Sequence, residues 1–184
     1  MICVIHAHPY PSRSRVNRAL ADALRALPDL DLRSIYALYP DFDIDVAAEQ
    51  KALAKAQLIV WLHPVYWYSV PALFKHWCDK VLEFGWAYGD GAHALHGKSC
   101  LWAPTAGGGE ATYAPDGMHG QPFASFVAPI EQTARFCGMR WEPPNVVFEA
   151  DDLEAEQLSR HVTEFIERLM PWRASGKEAG ESSR

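Results

Sequence analysis

Leu58-Ile59-Val60-Trp61-Leu62 is an unbroken apolar run, bounded by Gln57 on one side and His63-Pro64 on the other. It is too short for a helix and rich in β-branched and aromatic residues, so it reads as a strand covered on both faces. Ile2 to Ala7 is a second run of the same kind, with a single polar residue, His6. Between them, Val16, Ala19, Leu20, Ala23, Leu24 and Leu27 recur at helical spacing up to Pro28. Leu30 to Leu38 reads as another strand, and Asp45 is placed to cap a helix carrying Val46, Ala52, Leu53 and Ala56. Ser69 and Pro71 open a helix with Val70, Phe74, Trp77 and Val81 on one face. Ser99 to Pro104 reads as a fourth strand, and Met139 to Glu149 contains a fifth. Phe123 to Phe136 is helical, with Pro129 expected to kink it or delay its start. Asp151 and Glu154 resemble a capping box for a last helix bearing Leu158, Val162, Phe165, Ile166 and Leu169.

Five strands separated by helices predict an α/β domain with a parallel sheet and right-handed crossovers. Rossmann-type and flavodoxin-type strand orders both fit that count. No G-x-G-x-x-G follows the first strand, which weighs against a dinucleotide site of the Rossmann kind. In either order the ligand belongs beyond the carboxyl ends of the strands.

Composition narrows the class further. The 184 residues suit one domain, expected over residues 1–173, with a Ser-, Gly- and Glu-rich tail, 174–184, expected to be disordered. Apolar residues make up 49% and charged residues 22%, which excludes a disordered chain or a fibre. A formal charge of −6 with no basic run gives no footprint for nucleic acid. Cys3, Cys78, Cys100 and Cys137 have no CxxC or metal spacing and read as reduced thiols of a cytoplasmic protein. No apolar stretch is long enough to span a bilayer.

Three loops fall at the predicted ligand edge. The first, His8-Pro9-Tyr10-Pro11-Ser12-Arg13-Ser14-Arg15-Val16-Asn17, enters a helix whose N-terminus suits a phosphate. On this loop alone, helix capping by Ser12 or Ser14 and packing of His8 against the strand end are the favoured explanation. The second, His63 to Pro71, places Tyr66, Trp67 and Tyr68 in succession. Neighbouring side chains point in different directions, so at least one faces a ligand or a partner while others can be buried. The third, Thr105-Ala106-Gly107-Gly108-Gly109-Glu110, lets backbone approach a ligand closely. Together the loops suit a planar, phosphorylated cofactor.

The aromatic residues, 12% of the chain, divide accordingly. Trp61, Phe74, Trp77, Trp102, Phe136 and Phe165 read as core, whereas Tyr66, Trp67, Tyr68 and Tyr113 gather at the ligand edge. Trp86 and Tyr88 join either that cluster or a subunit interface. No metal is expected. His6 and His8 alternate on a strand, His63 reads as a strand-end residue, and His93-x-x-His96 has no carboxylate or thiol close in sequence. Asp41, Asp43 and Asp45 lack the glycine and terminal Glu of a calcium loop.

Several segments resemble the flavodoxin-like NAD(P)H:quinone oxidoreductases, and in particular the ancillary subunits of glutathione-regulated potassium-efflux antiporters. They are Ala7-His8-Pro9-Tyr10-Pro11, Leu38-Tyr39-Pro40-Asp41-Phe42, Ala47-Ala48-Glu49-Gln50, His63-Pro64, Trp67-Tyr68-Ser69, Gly85-Trp86-Ala87-Tyr88-Gly89 and Gly107-Gly108-Gly109-Glu110. The resemblance implies a three-layer sandwich with a five-stranded sheet in order 2-1-3-4-5 and helices on both faces. It implies FMN, with its phosphate at His8 and at Ser14, Arg15, Val16 and Asn17. The ring would meet Val65, Tyr66, Trp67 and Tyr68 and also Thr105, Ala106, Gly107 and Gly108. A Tyr and a His that follow the glycine loop in the DT-diaphorase type are matched in spacing by Tyr113 and His119, which the resemblance assigns as catalytic; a surface Tyr and a surface His in a flexible loop are the alternative reading of the same residues. It implies NAD(P)H as co-substrate, a quinone-like acceptor, ping-pong turnover and a homodimer. It also implies a membrane potassium-efflux antiporter as partner, which would hold the protein at the inner membrane, with a purely regulatory flavin-binding subunit as the alternative role.

Overall fold

The computed structural model describes residues 1–174. Of the tail expected to be disordered, Ala174 closes the last helix and 175–184 lie outside the described residues. The chain runs β1 (Ile2–His6), α1 (Val16–Arg25), β2 (Leu30–Ser34), α2 (Ile35–Leu38), α3 (Val46–Lys55) and β3 (Leu58–Pro64). It continues through α4 (Ala72–Val81), β4 (Ser99–Thr105), α5 (Ala124–Phe136), β5 (Arg140–Glu142) and α6 (Ala155–Ala174). The five strands form one parallel sheet in the order β2-β1-β3-β4-β5. This is the flavodoxin order, and it removes the Rossmann alternative.

The apolar strands sit where their sequences require. Every residue of β1, β3 and β4 is buried, with Val4 paired to Val60 and Trp61 to Trp102. Alternate residues of these strands serve opposite faces. Ile2, Val4, Leu58, Val60 and Leu62 pack with Val16, Leu20 and Leu24 of α1 and Phe165 and Leu169 of α6. Cys3, Ile5, Ile59, Trp61 and Trp102 pack with α3 and with Phe74, Trp77 and Val81 of α4. Helices therefore cover both faces of the sheet.

Four local expectations change. The second strand ends at Ser34, and Ile35–Leu38 is a helical turn that buries Ile35. Pro129 lies inside an uninterrupted α5, and the Pro129 carbonyl accepts from the Thr133 hydroxyl at 2.9 Å. The α6 cap falls one turn later than Asp151, because the Glu154 N–H donates to the Gln157 side chain at 2.8 Å and the helix starts at Ala155. Phe136 is 64% exposed and not core: Ala134 is the buried residue of α5, and the ring of Phe136 meets that of Tyr88 at 5.1 Å over an open groove. Asp45 caps α3 as expected, accepting from Ala48 N–H at 2.9 Å.

Two imidazoles lie inside the sheet. His63 is a fully buried member of β3: Trp102 Nε1–H donates to its Nε2 at 2.9 Å, and its Nδ1 lies 2.9 Å from the Pro64 carbonyl. His6 is also buried, beside Ser34 at 3.2 Å. Burial holds both pKa values down to about 4, against 6.5 for a free imidazole. The unfolded chain therefore takes up protons first on acidification. Stability from these groups is fully present above about pH 6.5 and is lost as pH falls to about 4, at about 1.4 kcal/mol per pH unit for each histidine. Denaturant unfolding across this window is expected to show a shallower pH slope for His63→Gln than for the wild type. Equal slopes would remove His63 from the acid response.

Candidate functional site

The strand order makes the site before any side chain is considered. β1 and β3 carry their helices to opposite faces, so the loops after β1, β3 and β4 meet at the carboxyl edge of the sheet. A cavity of about 250 Å³ opens there. Its walls include His8, Ser14 and Asn17 from the first loop, Val65 and Tyr66 from the second, and Thr105 and Gly107 from the third.

The first loop is built to offer donors. The Ser14 hydroxyl accepts from the Asn17 N–H at 3.2 Å, so it does cap the helix. The N–H groups of Arg15 and Val16 make no hydrogen bond among the described residues and remain available to an anion. His8 is mostly buried, and its Nδ1 accepts from Tyr10 N–H at 3.0 Å. Its proton is therefore on Nε2, making neutral His8 a donor from that atom. Burial lowers the His8 pKa, partly opposed by the carboxylate of Asp151. Asn17 Nδ2 donates to the Thr105 hydroxyl at 2.6 Å, tying the first loop to the third, while Asn17 Oδ1 is buried without a partner. An orphaned acceptor on the wall of a cavity fits a ligand that carries hydroxyl groups.

The second loop is a tight turn closed by reciprocal hydrogen bonds between Tyr66 and Ser69 at 3.0 and 3.2 Å. Trp67 and Tyr68 at its centre have φ of 50° and 60°, a left-handed conformation costly for aromatic residues. All three aromatics are exposed, and Trp67 is 93% exposed, so none is buried under α4. The N–H groups of Trp67, Tyr68, Gly107 and Gly108 make no hydrogen bond among the described residues. The amide of Val65, by contrast, is committed to the Thr105 carbonyl at 2.8 Å.

Trp67, Tyr68, Gly108, Tyr113 and His119 are not among the residues that line this cavity; Tyr113 stacks on His119 with centroids 4.1 Å apart and planes at 21°. His119 Nδ1 lies 3.4 Å from the Tyr68 hydroxyl, and His119 Nε2 is buried without a partner. Gly108 packs against this pair: a Cβ there would lie 2.9 Å from His119 Nε2 and 3.4 Å from the Tyr113 ring. Burial, then the neighbouring Tyr68, push the Tyr113 phenol above its ordinary pKa.

Not every expected residue meets the cavity. The Arg15 side chain turns away to donate to the Leu153 carbonyl at 2.7 Å, leaving only its amide for a ligand. Val16 is buried in the α1 core, and the Ala106 amide is taken by the Val147 carbonyl at 2.9 Å. Trp86 and Tyr88 pack against the core on the α4 side, away from the ligand edge. A fourth wall, Ala150 and Asp151, was not expected. It follows from the same topological rule, since the segment after β5 returns over the third loop, with Ala150 N–H on the Ala106 carbonyl at 3.0 Å. A larger groove of about 550 Å³ lies between α4 and α5, lined mainly by apolar side chains. Among the described residues no group of three or more His, Cys, Asp or Glu could hold a metal, and no helix is long and apolar enough to cross a membrane.

A 2-1-3-4-5 parallel sheet with its cavity at the carboxyl edge defines a flavodoxin-type α/β protein. The chain belongs to the Flavodoxin_2 family, of flavodoxin-like fold, which matches residues 1–169. It is 48% identical over 175 residues to the glutathione-regulated potassium-efflux system ancillary protein KefF of Enterobacter sp. (strain 638), covering 94% of this chain and 97% of that one. Among solved structures it is similar to general stress protein 14 of Treponema denticola in complex with FMN, at 35% identity and a TM-score of 0.88 over 93% of this chain and 98% of the other. It is also similar to a candidate quinone reductase of Klebsiella pneumoniae, at 26% identity and a TM-score of 0.78 over 91% and 83%.

Proposed function

We propose that the protein is an FMN-dependent NAD(P)H:quinone oxidoreductase. The observation that carries this reading is the meeting of free amides and an orphaned buried acceptor in the loops around one cavity, with a Tyr–His stack against Gly108, the residue after the lining Gly107. The amides of Arg15 and Val16 with His8 Nε2–H would hold the phosphate. Asn17 Oδ1 and the Asp151 carboxylate are the acceptors that a polyhydroxylated chain needs. The amides of Trp67, Tyr68, Gly107 and Gly108 would serve the polar edge of the ring. FMN, when bound, would supply the two-electron chemistry by which NAD(P)H is oxidised and a quinone is then reduced, which makes ping-pong kinetics the expected pattern. Tyr113 and His119 would hold and transfer the protons that accompany those electrons.

The relatives named as ancillary proteins of potassium efflux favour a second reading, a flavin-binding regulatory subunit of a membrane antiporter. The two are compatible, and turnover separates them. Purified protein is expected to bind FMN, with quenching of flavin fluorescence, and to oxidise NAD(P)H only when a quinone is added. Failure to bind FMN would remove both readings, and binding without turnover would leave the regulatory one. A homodimer belongs to the same proposal, supported by the apolar face where Phe84 and Phe136 are 71% and 64% exposed. Light scattering at working concentration tests it.

A further inference from the structure

Tyr68 has a role in the turn that its ring alone does not explain. Two consecutive left-handed residues form the kind of turn that Asn-Gly normally supplies, and here the positions are Trp67 and Tyr68. Each such conformation costs about 1–3 kcal/mol and persists where the surroundings over-determine it. The conformation puts the Tyr68 hydroxyl 3.4 Å from His119 Nδ1, with the rings edge to face at 79°. A phenylalanine would keep the ring contacts to Phe126, at 5.2 Å, and to His119, but not this bond.

His119 is half-buried. Tyr113 covers one face, Gly108 packs closely at Nε2, and no ion pair reaches the imidazole among the described residues. Tyr68 itself is 48% exposed. His119 thus has one nitrogen turned to the glycine loop without a partner, and the other bonded to a hydroxyl on a solvent-exposed side chain. We infer that Tyr68 is a positioning residue that sets the tautomer of His119 and restores its proton from solvent; this rests on the proton-transfer reading of His119 above.

The steps balance as acid–base chemistry alone. With the Tyr68 O–H donating to Nδ1, the imidazole proton sits on Nε2, the nitrogen that faces Gly108 of the glycine loop. When Nε2–H breaks and its proton passes to a ligand atom, the Tyr68 proton moves to Nδ1. The phenolic oxygen then takes a proton from buffer acid, whose conjugate base carries away the charge. The ring is left neutral with its proton on Nδ1, and the reverse sequence lets Nε2 accept a proton in the other half of the cycle.

The first test uses the cofactor-free protein. Imidazole ¹⁵N resonances, with His119 assigned by the loss of its signals in His119→Gln, report the tautomer. Tyr68→Phe is expected to move the Nδ1 resonance of His119 to that of a ring nitrogen without a bonded partner. In FMN-loaded protein the same variant is expected to lower kcat with quinone roughly 10-fold or more and change its solvent deuterium isotope effect, with KM for NAD(P)H unchanged. Unchanged resonances, or a shifted resonance with wild-type kcat, would overturn the relay while leaving His119 in place. Wild-type turnover in His119→Gln would instead remove the underlying reading, and the relay with it.

Discussion

FMN-loaded His119→Gln is expected to reduce quinones about 10²–10⁴-fold more slowly than the wild type, the usual contribution of a positioned general acid or base. The expectation follows from where its nitrogens lie. Nε2 is buried and unpartnered beside Gly108, whose own amide is free. A buried polar atom with no partner is either a defect or a contact awaiting a ligand, and its place on the glycine loop argues for the second. Glutamine keeps a hydrogen-bonding group of similar reach but cannot exchange a proton near neutral pH. FMN affinity should therefore be preserved while turnover falls. Tyr113→Phe keeps the 4.1 Å stack and loses only the phenol, so its kcat loss should be smaller. Gly108→Val should resemble the His119 variant, because its Cβ would press on Nε2, on the Thr112 hydroxyl at 2.9 Å and on the Tyr113 ring. Stopped-flow measurement of each half-reaction checks all three. Wild-type rates in both His119→Gln and Tyr113→Phe would remove the pair from the mechanism.

Most of this edge was legible because sheet topology, rather than any one motif, locates it. Once Leu58–Leu62 and Ile2–His6 are read as doubly covered strands, the parallel order puts the loops after them side by side. The glycines and aromatics there then have one common neighbour. The expectations that failed are those where periodicity is silent about which face finds a partner. Phe136 has helical spacing like any core residue, yet the face of α5 that carries it borders an open groove. Arg15 reads as a phosphate ligand by position, but its long side chain reaches a carbonyl 138 residues away. Asp151 was invisible as a ligand-edge residue because β5 pairs over only three residues, so the place where the chain returned to the site could not be fixed. The turn conformation of Trp67 and Tyr68 was likewise hidden, since their local preferences oppose it.

Glu49 is the residue that sequence reading placed least well, as one letter in Ala47-Ala48-Glu49-Gln50 on an otherwise ordinary helix. It is fully buried. Arg33 Nε donates to Oε1 at 2.7 Å, the Tyr39 hydroxyl donates to Oε1 at 2.6 Å, and Trp77 Nε1–H donates to Oε2 at 2.9 Å. One carboxylate thereby joins β2, the segment after α2, α3 and α4, and its negative charge holds the Arg33 guanidinium firmly protonated. Replacement by alanine leaves a guanidinium, a phenol and an indole N–H all short of an acceptor. Loss of one partner from a buried ion pair costs about 3–5 kcal/mol. For a chain of this size that corresponds to a fall in Tm of roughly 10 °C or more. Arg33→Met should be nearly as damaging, since it strands the carboxylate, and the double variant should cost less than the sum of the two. Glu49→Gln should fall between, because its amide oxygen can still accept from Arg33 and Tyr39 while its NH₂ group faces the Trp77 donor. High salt should change little, as the carboxylate is out of reach of screening ions. The consequence for the site is indirect: Trp77 stacks on Phe74 at 5.8 Å, and Phe74 lies 4.8 Å from His63, the buried residue at the root of the aromatic turn. Well below its lowered Tm, Glu49→Ala should therefore still bind FMN. A variant within about 1 kcal/mol of the wild type in denaturant unfolding would show that the carboxylate is not what holds these four segments together.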